Sequence, residues 1–295
     1  MKMIASAGLL ALGAVWMTVP AVHASTKLSV SCAQGLTAKI PARPAKAETG
    51  SAVMRQVMNL SGEMRDAVVT RQVLSGNVPT FLRGLTPVTF TGTEANGAAV
   101  RVTICVTPDY LSVGSNTDFV RVPLGLPSAA RIADDFGFFL PTPKMVDAIY
   151  AQAKVRLVAS PMPAGDQMRS TAYLLRHNQT VEEQLATFGN TLDELTAGEK
   201  KDVVFTERLR THPGKVAIYG WQRTNGLPIQ PLSTVHGAFY ADYSHGIRLV
   251  SNTAFVNGQP HPLSEIFQDS GLARIISAEG TIEHPHQLLA SLYSN

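Results

Sequence analysis

The feature of this chain that most limits its fold is the way strands and helices are grouped along it. Two β-rich regions, near residues 87–122 and 215–258, flank a section with mainly helical patterns. Strands and helices that alternate strictly indicate a parallel, doubly wound sheet, and this order differs from that. The sequence therefore predicts an α+β fold with N-terminal helices and β-hairpins, a helical middle, and a C-terminal antiparallel β region that carries a polar cluster.

Helical patterns occur in three places. Apolar residues from Val53 to Val68 recur at spacings of three and four, and Ser61-Gly62 can divide this helix in two. Thr142-Pro143 can open a helix that runs through Gln152, because proline is tolerated in the first turn. Three threonines precede a glutamate by three residues, the spacing of a capping box, and predict two or three helices between 180 and 211. These are Thr180, Thr191 and Thr196.

Strand patterns predict two hairpins before the helical section. Residues 87–92 and 98–106 are β-branched or alternating runs, and Glu94–Gly97 lies between them as a turn. Residues 110–113 and 118–122 flank a second turn. In the C-terminal half, Lys215–Trp221 begins the last β-rich region, and Asn257-Gly258 is a strong turn dipeptide.

The first 24 residues have the pattern of a secretory signal peptide. Lys2 precedes an uncharged run from Met3 to Val22, and small residues that a signal peptidase reads end at Ala24. An uncleaved anchor is the alternative, since a run of this length could just span a bilayer. We predict cleavage after Ala24 and one exported domain over residues 25–295, periplasmic or secreted, with a subdivision near 190–214 left open.

The chain has two cysteines, Cys32 and Cys105. An exported protein meets an oxidising compartment, so the sequence predicts a disulfide between them. Two unpaired buried thiols are the alternative.

Composition narrows the class of partner. The chain is 45% hydrophobic and 16% charged, as ordinary globular proteins are, and no segment after the signal peptide is apolar enough to span a membrane. A formal charge of +3, scattered along the sequence, is too weak for a nucleic-acid-binding protein.

One short stretch, residues 233–250, concentrates polar side chains and reads STVHGAFYADYSHGIRLV. It holds two of the chain's eight histidines. Buried polar groups are costly unless they are paired, so this many together indicates a site. The candidate catalytic residues are His236, Tyr240, Asp242, Ser244, His245 and Arg248.

The backbone conformation decides whether these groups can meet. In one unbroken strand over residues 240–250, Asp242 and His245 would lie on opposite faces. Glycine inside a strand often marks a bulge, a bend or a close approach, and Gly237 and Gly246 interrupt this one. A turn or loop across Gly237–Ser244 would bring His236 together with Asp242 and His245.

Two chemistries suit such a trio. His236, Asp242 and His245 have the composition of a site for zinc or another divalent transition metal, with a position left for water. The bound water would become acidic enough to attack an acyl or glycosidic centre, while Tyr240 or Arg248 stabilised negative charge. Without a metal, one histidine would act as base, Asp242 would orient it, and a water or the Ser244 hydroxyl would attack.

A purely structural interpretation of the same residues is open. Asp242 can accept backbone N–H groups in a turn, as aspartates often do. His245 can be a core histidine bonded to a carbonyl group. Arg248 can pair with Asp242, and Tyr240 can pack against its neighbours.

Two local resemblances fall in this stretch. Ser244-His-Gly-Ile-Arg-Leu249 resembles the S-H-G-C-x-R-L signature of L,D-transpeptidases, which cross-link peptidoglycan through a cysteine, and His236-Gly237 is similar to that family's upstream H-G. The nucleophilic cysteine has no counterpart here, because Ile247 follows Gly246 directly, and we do not assign the family. Ser233, His236, Ala241 and Asp242 are similar to the S-x-H-x-x-G-x-A-x-D element of zinc D,D-peptidases, with a spacing that differs by one.

Other residues are weaker candidates. Asp109 and Asp118 could supply a carboxylate, although turn residues are the simpler interpretation. Arg169-Ser-Thr171 could bind an anion or could be a solvated loop, and Trp221 could line a pocket or fill the core. Three further histidines lie in proline-rich surroundings: His261, His284 and His286.

From these residues we predict an exported hydrolase that acts on a cell-envelope or extracellular polymer, either peptide or glycan, through a His/Asp/His cluster. Both the metal-dependent and the metal-free version are open. The alternative is a non-catalytic periplasmic protein that binds a ligand or an envelope component through the same cleft.

Overall fold

The computed structural model describes Cys32 and residues 34–94, 97–189 and 191–294. The predicted signal peptide lies outside these residues. Within them the helices are α1 (Gly50–Gln56), α2 (Gly62–Leu74), α3 (Leu126–Phe136), α4 (Pro143–Gln152), α5 (Thr171–Ala186), α6 (Arg208–Thr211), α7 (Leu263–Gln268), α8 (Ala273–Ile276) and α9 (Pro285–Ser291). Short 3₁₀ turns span Gln34–Thr37, Thr80–Arg83 and Asp166–Arg169.

The strands form several sheets, and the fold is mixed α+β, as predicted. They are β1 (Thr86–Thr93), β2 (Ala99–Val106), β3 (Ser112–Gly114), β4 (Phe119–Arg121), β5 (Phe138–Phe139), β6 (Val155–Arg156), β7 (Thr196–Ala197), β8 (Lys201–Val203), β9 (Ile218–Gln222), β10 (Pro228–Ser233), β11 (His245–Gly246), β12 (Val250–Ser251), β13 (Thr253–Val256) and β14 (Gln259–Pro262).

Strand β2 is the centre of the larger sheet. It pairs along its whole length with β1, from Thr86↔Val106 to Thr93↔Ala99, which confirms the first predicted hairpin. On its other side it pairs with β13 and β12, and β14 and β5 extend the sheet. Ile104, Cys105 and Val106 are fully buried, so apolar side chains on β2 fix this sheet in the main core.

The predicted disulfide is confirmed. Cys105 on β2 is bonded to Cys32, with 5.6 Å between their Cα atoms. The bond closes a loop across a sequence separation of 73 residues. In the chain-entropy model a loop of that length stabilises the fold by about 4 kcal/mol, because it restricts the unfolded chain.

Two other local predictions are confirmed at helix ends. The break at Ser61-Gly62 separates α1 from α2, and Gly62 adopts a φ of 54°, in the left-handed region that glycine favours. Helix α4 begins at Pro143 after the N-cap Thr142, whose hydroxyl oxygen accepts a hydrogen bond from the backbone of Met145.

The capping-box prediction between 180 and 211 is wrong. Thr180 lies inside α5, which begins after Ser170, and its hydroxyl donates to the Arg176 carbonyl at 3.3 Å. Thr196 pairs with Val155 in a small parallel sheet. The apolar face of α5 already includes Leu174, so the helix starts well before Thr180, and hydroxyl-to-glutamate spacing alone does not identify a helix start.

The second sheet, of four strands in the order β10-β9-β8-β11, carries the polar stretch. Strands β8, β9 and β10 are antiparallel neighbours, whereas β11 runs parallel to β8, with His245 opposite Lys201. A long loop, not a tight hairpin, precedes β11. A connection of this length allows β11 to pair parallel to β8. Among the described residues no helix is both long and apolar enough to cross a membrane.

Candidate functional site

The segment that joins β10 to β11 is a loop, as the two glycines predicted, and we call residues 236–245 the His loop. Asp242 organises it. One carboxylate oxygen, Oδ1, accepts hydrogen bonds from the backbone N (2.8 Å) and the hydroxyl (2.6 Å) of Ser244. The other, Oδ2, accepts from the Tyr240 hydroxyl at 3.1 Å. An aspartate that bonds the N–H group two residues ahead forms a turn, so Asp242 is both a loop-forming residue and a site residue.

His245 is the most unusual side chain of the His loop. It is 1% exposed, and neither ring nitrogen has a hydrogen-bond partner among the residues that the structure describes. Its ring lies 5.7 Å from the ring of Tyr240, and on the same tyrosine the half-buried His236 stacks at 4.1 Å. Nearly all buried polar atoms in proteins are paired, so two unpaired nitrogens on one imidazole require an explanation.

Burial also sets the protonation states of these groups. It lowers the pKa of His245 to about 4, although Asp242 opposes the shift. Burial alone would raise the pKa of Asp242, but the His245 imidazole and the hydrogen bonds from Ser244 together lower it. Burial and the neighbouring Asp242 raise the pKa of Tyr240 to about 12. At neutral pH the His loop therefore holds a neutral imidazole, a carboxylate and a protonated phenol.

Two other predicted residues have structural partners. Ser244 is fully buried, and its hydroxyl donates to Asp242 rather than to a histidine. The guanidinium of Arg248 donates to the carbonyls of Thr107 (2.8 Å) and Thr196 (2.6 Å), and it stacks over another aromatic ring, that of Tyr110. Arg248 therefore ties β11 to neighbouring segments and makes no hydrogen bond to Asp242 among the described residues.

The predicted metal ligands do not form a ready set of donors. Within residues 34–94, 97–189 and 191–294, and counting Cys32, no group of three or more His, Cys, Asp or Glu side chains could hold a metal ion. Both carboxylate oxygens of Asp242 bond to Ser244 and Tyr240, and His236 stacks on Tyr240. The zinc site stays a prediction that metal analysis of the purified protein would test, and we derive no step through a metal.

Sequence analysis missed Lys201 and left Trp221 open. Trp221 has a φ of 58°, a conformation that costs about 1–2 kcal/mol for a residue with a side chain, and its buried indole nitrogen has no hydrogen-bond partner. The Lys201 ammonium lies 5.0 Å from the Trp221 ring centre, and the Lys201 backbone N donates to the Ser244 carbonyl at 2.7 Å. Strain of this kind often occurs at functional sites. Lys201 comes beside His245 only through the pairing of β8 with β11.

Charged groups are also buried next to β8. The Lys200 ammonium donates to the Tyr243 carbonyl at 2.7 Å and lies 3.1 Å from Nδ1 of His177. Burial lowers the pKa of Lys200 to about 7 and raises the pKa of Glu199 to about 7. A side chain at Gly246 would collide here, because its Cβ would lie 2.5 Å from the Tyr110 ring and 2.7 Å from Cβ of Lys200. Gly246 therefore serves close packing, whereas Gly237 has open space around it.

The weaker candidates are dispersed. Asp109 forms an ion pair with Arg121, and Asp118 accepts from the backbone and hydroxyl of Ser51 at the start of α1. His286 packs against the Phe139 ring at 5.0 Å, while His261 is exposed on β14. These residues have partners or positions that fit structural or surface roles.

A groove of about 500 Å³ begins at the His loop. Its apolar lining includes Leu126, Ala238, Phe239 and Leu288, and a basic rim contains Arg210 and Lys215. Ala238 and Phe239 belong to the His loop itself, and Phe239 is 50% exposed. The groove therefore contacts the His loop at Ala238 and Phe239, whereas His236, Tyr240 and His245 do not line it.

Comparison of this chain with protein-family models, with curated proteins and with solved structures gives no match. The two resemblances in residues 233–249 thus rest on those residues alone, and the function has to be argued from the geometry.

Proposed function

We propose that this protein is an exported hydrolase that cleaves an acyl bond, such as a peptide bond, in a cell-envelope or extracellular polymer, with His245 as general base. The observation that carries the proposal is the His245 imidazole, which is buried and neutral at pH 7, with both nitrogens unpaired within the described part of the chain. A general base needs a free lone pair within reach of the proton that it removes.

In the proposed reaction, His245 removes a proton from a water molecule, and the oxygen of that water attacks the carbonyl carbon of the scissile bond. The imidazolium returns the proton to the leaving amine as the tetrahedral intermediate collapses. Asp242, ionised and close enough to interact with His245, stabilises the imidazolium between the two steps. The half-buried Lys201 supplies positive charge for the developing oxyanion.

The set of acid and base groups favours an acyl bond over a glycosidic bond. Glycoside hydrolysis ordinarily uses two carboxyl groups, about 5–9.5 Å apart, on either side of the scissile bond. The His loop supplies one, Asp242, and both of its oxygens already accept hydrogen bonds. A neutral histidine with one supporting carboxylate is the arrangement that acyl transfer uses.

Access to His245 requires movement of Tyr240. The Tyr240 ring lies against the imidazole, is half-buried, and is held by one hydrogen bond to Asp242. Breaking that bond and turning the ring aside would uncover the imidazole. In apo enzymes catalytic groups are often poorly aligned and tighten only with substrate, so a covered base is compatible with the proposal.

Export is the remaining part of the proposal. The disulfide between Cys32 and Cys105 fits an oxidising compartment, and the N-terminal pattern fits a signal peptide. Peptide and glycan polymers of the cell envelope are the substrates present there.

The test is to incubate the protein with purified cell-wall sacculi and with soluble peptides derived from them. Hydrolysis is measured as the release of new amino groups. The wild-type protein should release amines, and His245→Gln should lower the rate by about 10²-fold or more. His261→Gln is the matched control, because that histidine is exposed on β14, and it should keep the wild-type rate. Equal rates for His245→Gln and the wild type would remove His245 from the reaction.

One observation favours the alternative, a non-catalytic binding protein. His245 and Asp242 are almost fully covered, and a binding protein needs only the open groove and the half-buried His236 and Tyr240. A wild-type protein that co-sediments with sacculi but releases no amines would establish this second function.

A further inference from the structure

A second group of unpaired polar atoms lies beside the His loop, at the start of α2. Arg65, in the first turns of that helix, is 1% exposed, and its Nε and Nη2 atoms have no hydrogen-bond partner in the described ranges. Its third nitrogen, Nη1, donates to the Arg169 carbonyl at 2.9 Å. Asp66 forms an ion pair with Arg65, and the 3.9 Å between its Oδ1 and Nε is too long for a hydrogen bond.

Arg169 adds a second guanidinium at the same place. Its side chain is exposed, lies over the Tyr240 ring at 5.9 Å, and makes no hydrogen bond or ion pair among the described residues. A Cβ at Gly62, the first residue of α2, would lie 3.9 Å from Nη2 of Arg169. The guanidinium therefore stands at the N-terminus of a 13-residue helix.

That helix end lacks its usual cap. Ser61, the N-cap residue, makes no side-chain hydrogen bond to the first turn. The free N–H groups and the dipole of a helix N-terminus attract anions, and an arginine there is unfavourable without one. Two guanidinium groups beside this end, one of them buried with two unpaired nitrogens, thus point to an anionic ligand.

The acidic residues nearby do not fill this role. Oδ2 of Asp66 accepts a hydrogen bond from the Gly125 backbone N at 2.8 Å. Oδ1 of Asp66 has no hydrogen-bond partner among the described residues. Glu63 is exposed on the first turn and bonds to neither guanidinium among the described residues. Asp66 therefore supplies charge but no hydrogen bond to Arg65, and an anion that hydrogen-bonds to both guanidinium groups would have to come from outside the described part of the chain.

We propose that Arg65, Arg169 and the first turn of α2 form a subsite for a carboxylate of the substrate, next to Tyr240. The identification of the carboxylate as a substrate group rests on the proposed hydrolase function, whereas anion binding at this subsite does not. A guanidinium fork matches the two oxygens of a carboxylate, and Arg169 reaches over the same tyrosine that covers His245. A substrate carboxylate held there would orient the polymer across the His loop and draw Tyr240 away from His245.

The direct test is an NMR titration of the arginine Nε–H groups of the whole protein with sodium acetate, against sodium chloride at equal ionic strength. Acetate should shift the Arg169 and Arg65 signals along one saturable curve. Arg169→Ala should weaken acetate binding, read from the Arg65 signal, about tenfold or more. Arg176, exposed on α5, is the control: its own signal should not shift, and Arg176→Ala should leave acetate binding unchanged.

Two outcomes overturn the subsite. Either acetate moves these signals no more than chloride does, or Arg176 responds as strongly as Arg169. The second arm uses the hydrolysis assay: Arg169→Ala should lower kcat/KM about tenfold on a substrate with a free carboxylate, because that carboxylate no longer binds and no longer draws Tyr240 aside. On the amidated substrate the same variant should lower kcat/KM much less. Acetate binding without hydrolysis would reject the proposed function and keep the subsite, whereas hydrolysis that Arg169→Ala leaves unchanged would reject the subsite alone.

Discussion

Two buried polar clusters in this protein resemble each other in composition but differ in pairing. In the first, Arg121 donates through Nε to both oxygens of Asp109, at 3.1 and 3.0 Å, and through Nη1 to Glu182. Asp109 also accepts from the backbone of Tyr110 at 2.6 Å. In the second, Asp242 is bonded but His245 leaves both ring nitrogens unpaired.

The difference separates structure from function. A buried ion pair with its donors satisfied holds segments in register, and Arg121 on β4 joins that strand to Asp109 and to Glu182 on α5. Unpaired buried atoms cost stability, and among the described residues His245 bears that cost at both ring nitrogens. The paired cluster is thus the structural one, and the His loop is the candidate site.

The largest expected effect is in the paired cluster. Asp109→Asn removes the negative charge and leaves the Arg121 guanidinium buried without its partner. Loss of one member of a buried ion pair costs about 3–5 kcal/mol, so the free energy of unfolding should fall by that amount in a urea titration. Asp118→Asn, at a half-buried bend before β4, is the control and should cost less than about 1 kcal/mol. If Asp109→Asn lowers the free energy of unfolding only slightly, the Arg121–Asp109 cluster does not stabilise the fold more than the His loop does, and the contrast between the two clusters is wrong.

The next effect concerns Gly246, which packs against Tyr110 and Lys200 where the His loop enters the sheet. Gly246→Ala puts a methyl group 2.5 Å from the Tyr110 ring and should cost about 3 kcal/mol of unfolding free energy. A Cβ added at Gly237 would lie 4.0 Å from the nearest atom, so Gly237→Ala should change the free energy of unfolding by less than about 0.5 kcal/mol. Equal effects of the two substitutions in thermal unfolding would show that Gly246 is not needed for close packing.

A smaller effect appears in the pH dependence of stability. The folded protein protonates His245 near pH 4, whereas an unfolded histidine protonates near pH 6.5. The stability that the neutral, buried form contributes is present above pH 6.5 and is lost as the pH falls toward 4. His245→Gln removes this pH dependence. As the pH falls from 8 to 5, the free energy of unfolding of the variant should therefore rise by about 2 kcal/mol relative to that of the wild type. Parallel stability curves for the two proteins would contradict a depressed pKa of His245.

Sequence patterns predicted those parts of the fold whose cause is local. The hairpin of β1 and β2, the break before Gly62 and the start of α4 each depend on a few neighbouring residues with strong conformational preferences. The capping-box spacing at Thr180 failed because the apolar face of α5 extends further toward the N-terminus. A hydroxyl and a glutamate three residues apart also occur inside helices, where they carry no information about the start.

The part of the site that could be predicted from the sequence is also the part with a local cause. The loop between Gly237 and Ser244 was predicted from glycines and an aspartate, and its turn is formed by Asp242, which accepts from Ser244. Its wider surroundings depend on tertiary contacts: Lys201 reaches His245 only because β8 pairs with β11, and Arg65 reaches Arg169 across 104 positions of sequence. The hydrogen bonds of Arg248 to the Thr107 and Thr196 carbonyls are equally remote and have no local signal.

The most direct test of the central claim is the protonation state of His245, measured by ¹⁵N NMR of its imidazole between pH 8 and pH 3.5, with His245→Gln to assign the signals. We predict a neutral ring at pH 7 that protonates near pH 4, because burial outweighs the attraction of Asp242. An imidazole that is already positively charged at pH 7 would contradict the account, since it would be an ion-pair partner of Asp242 and not a free base.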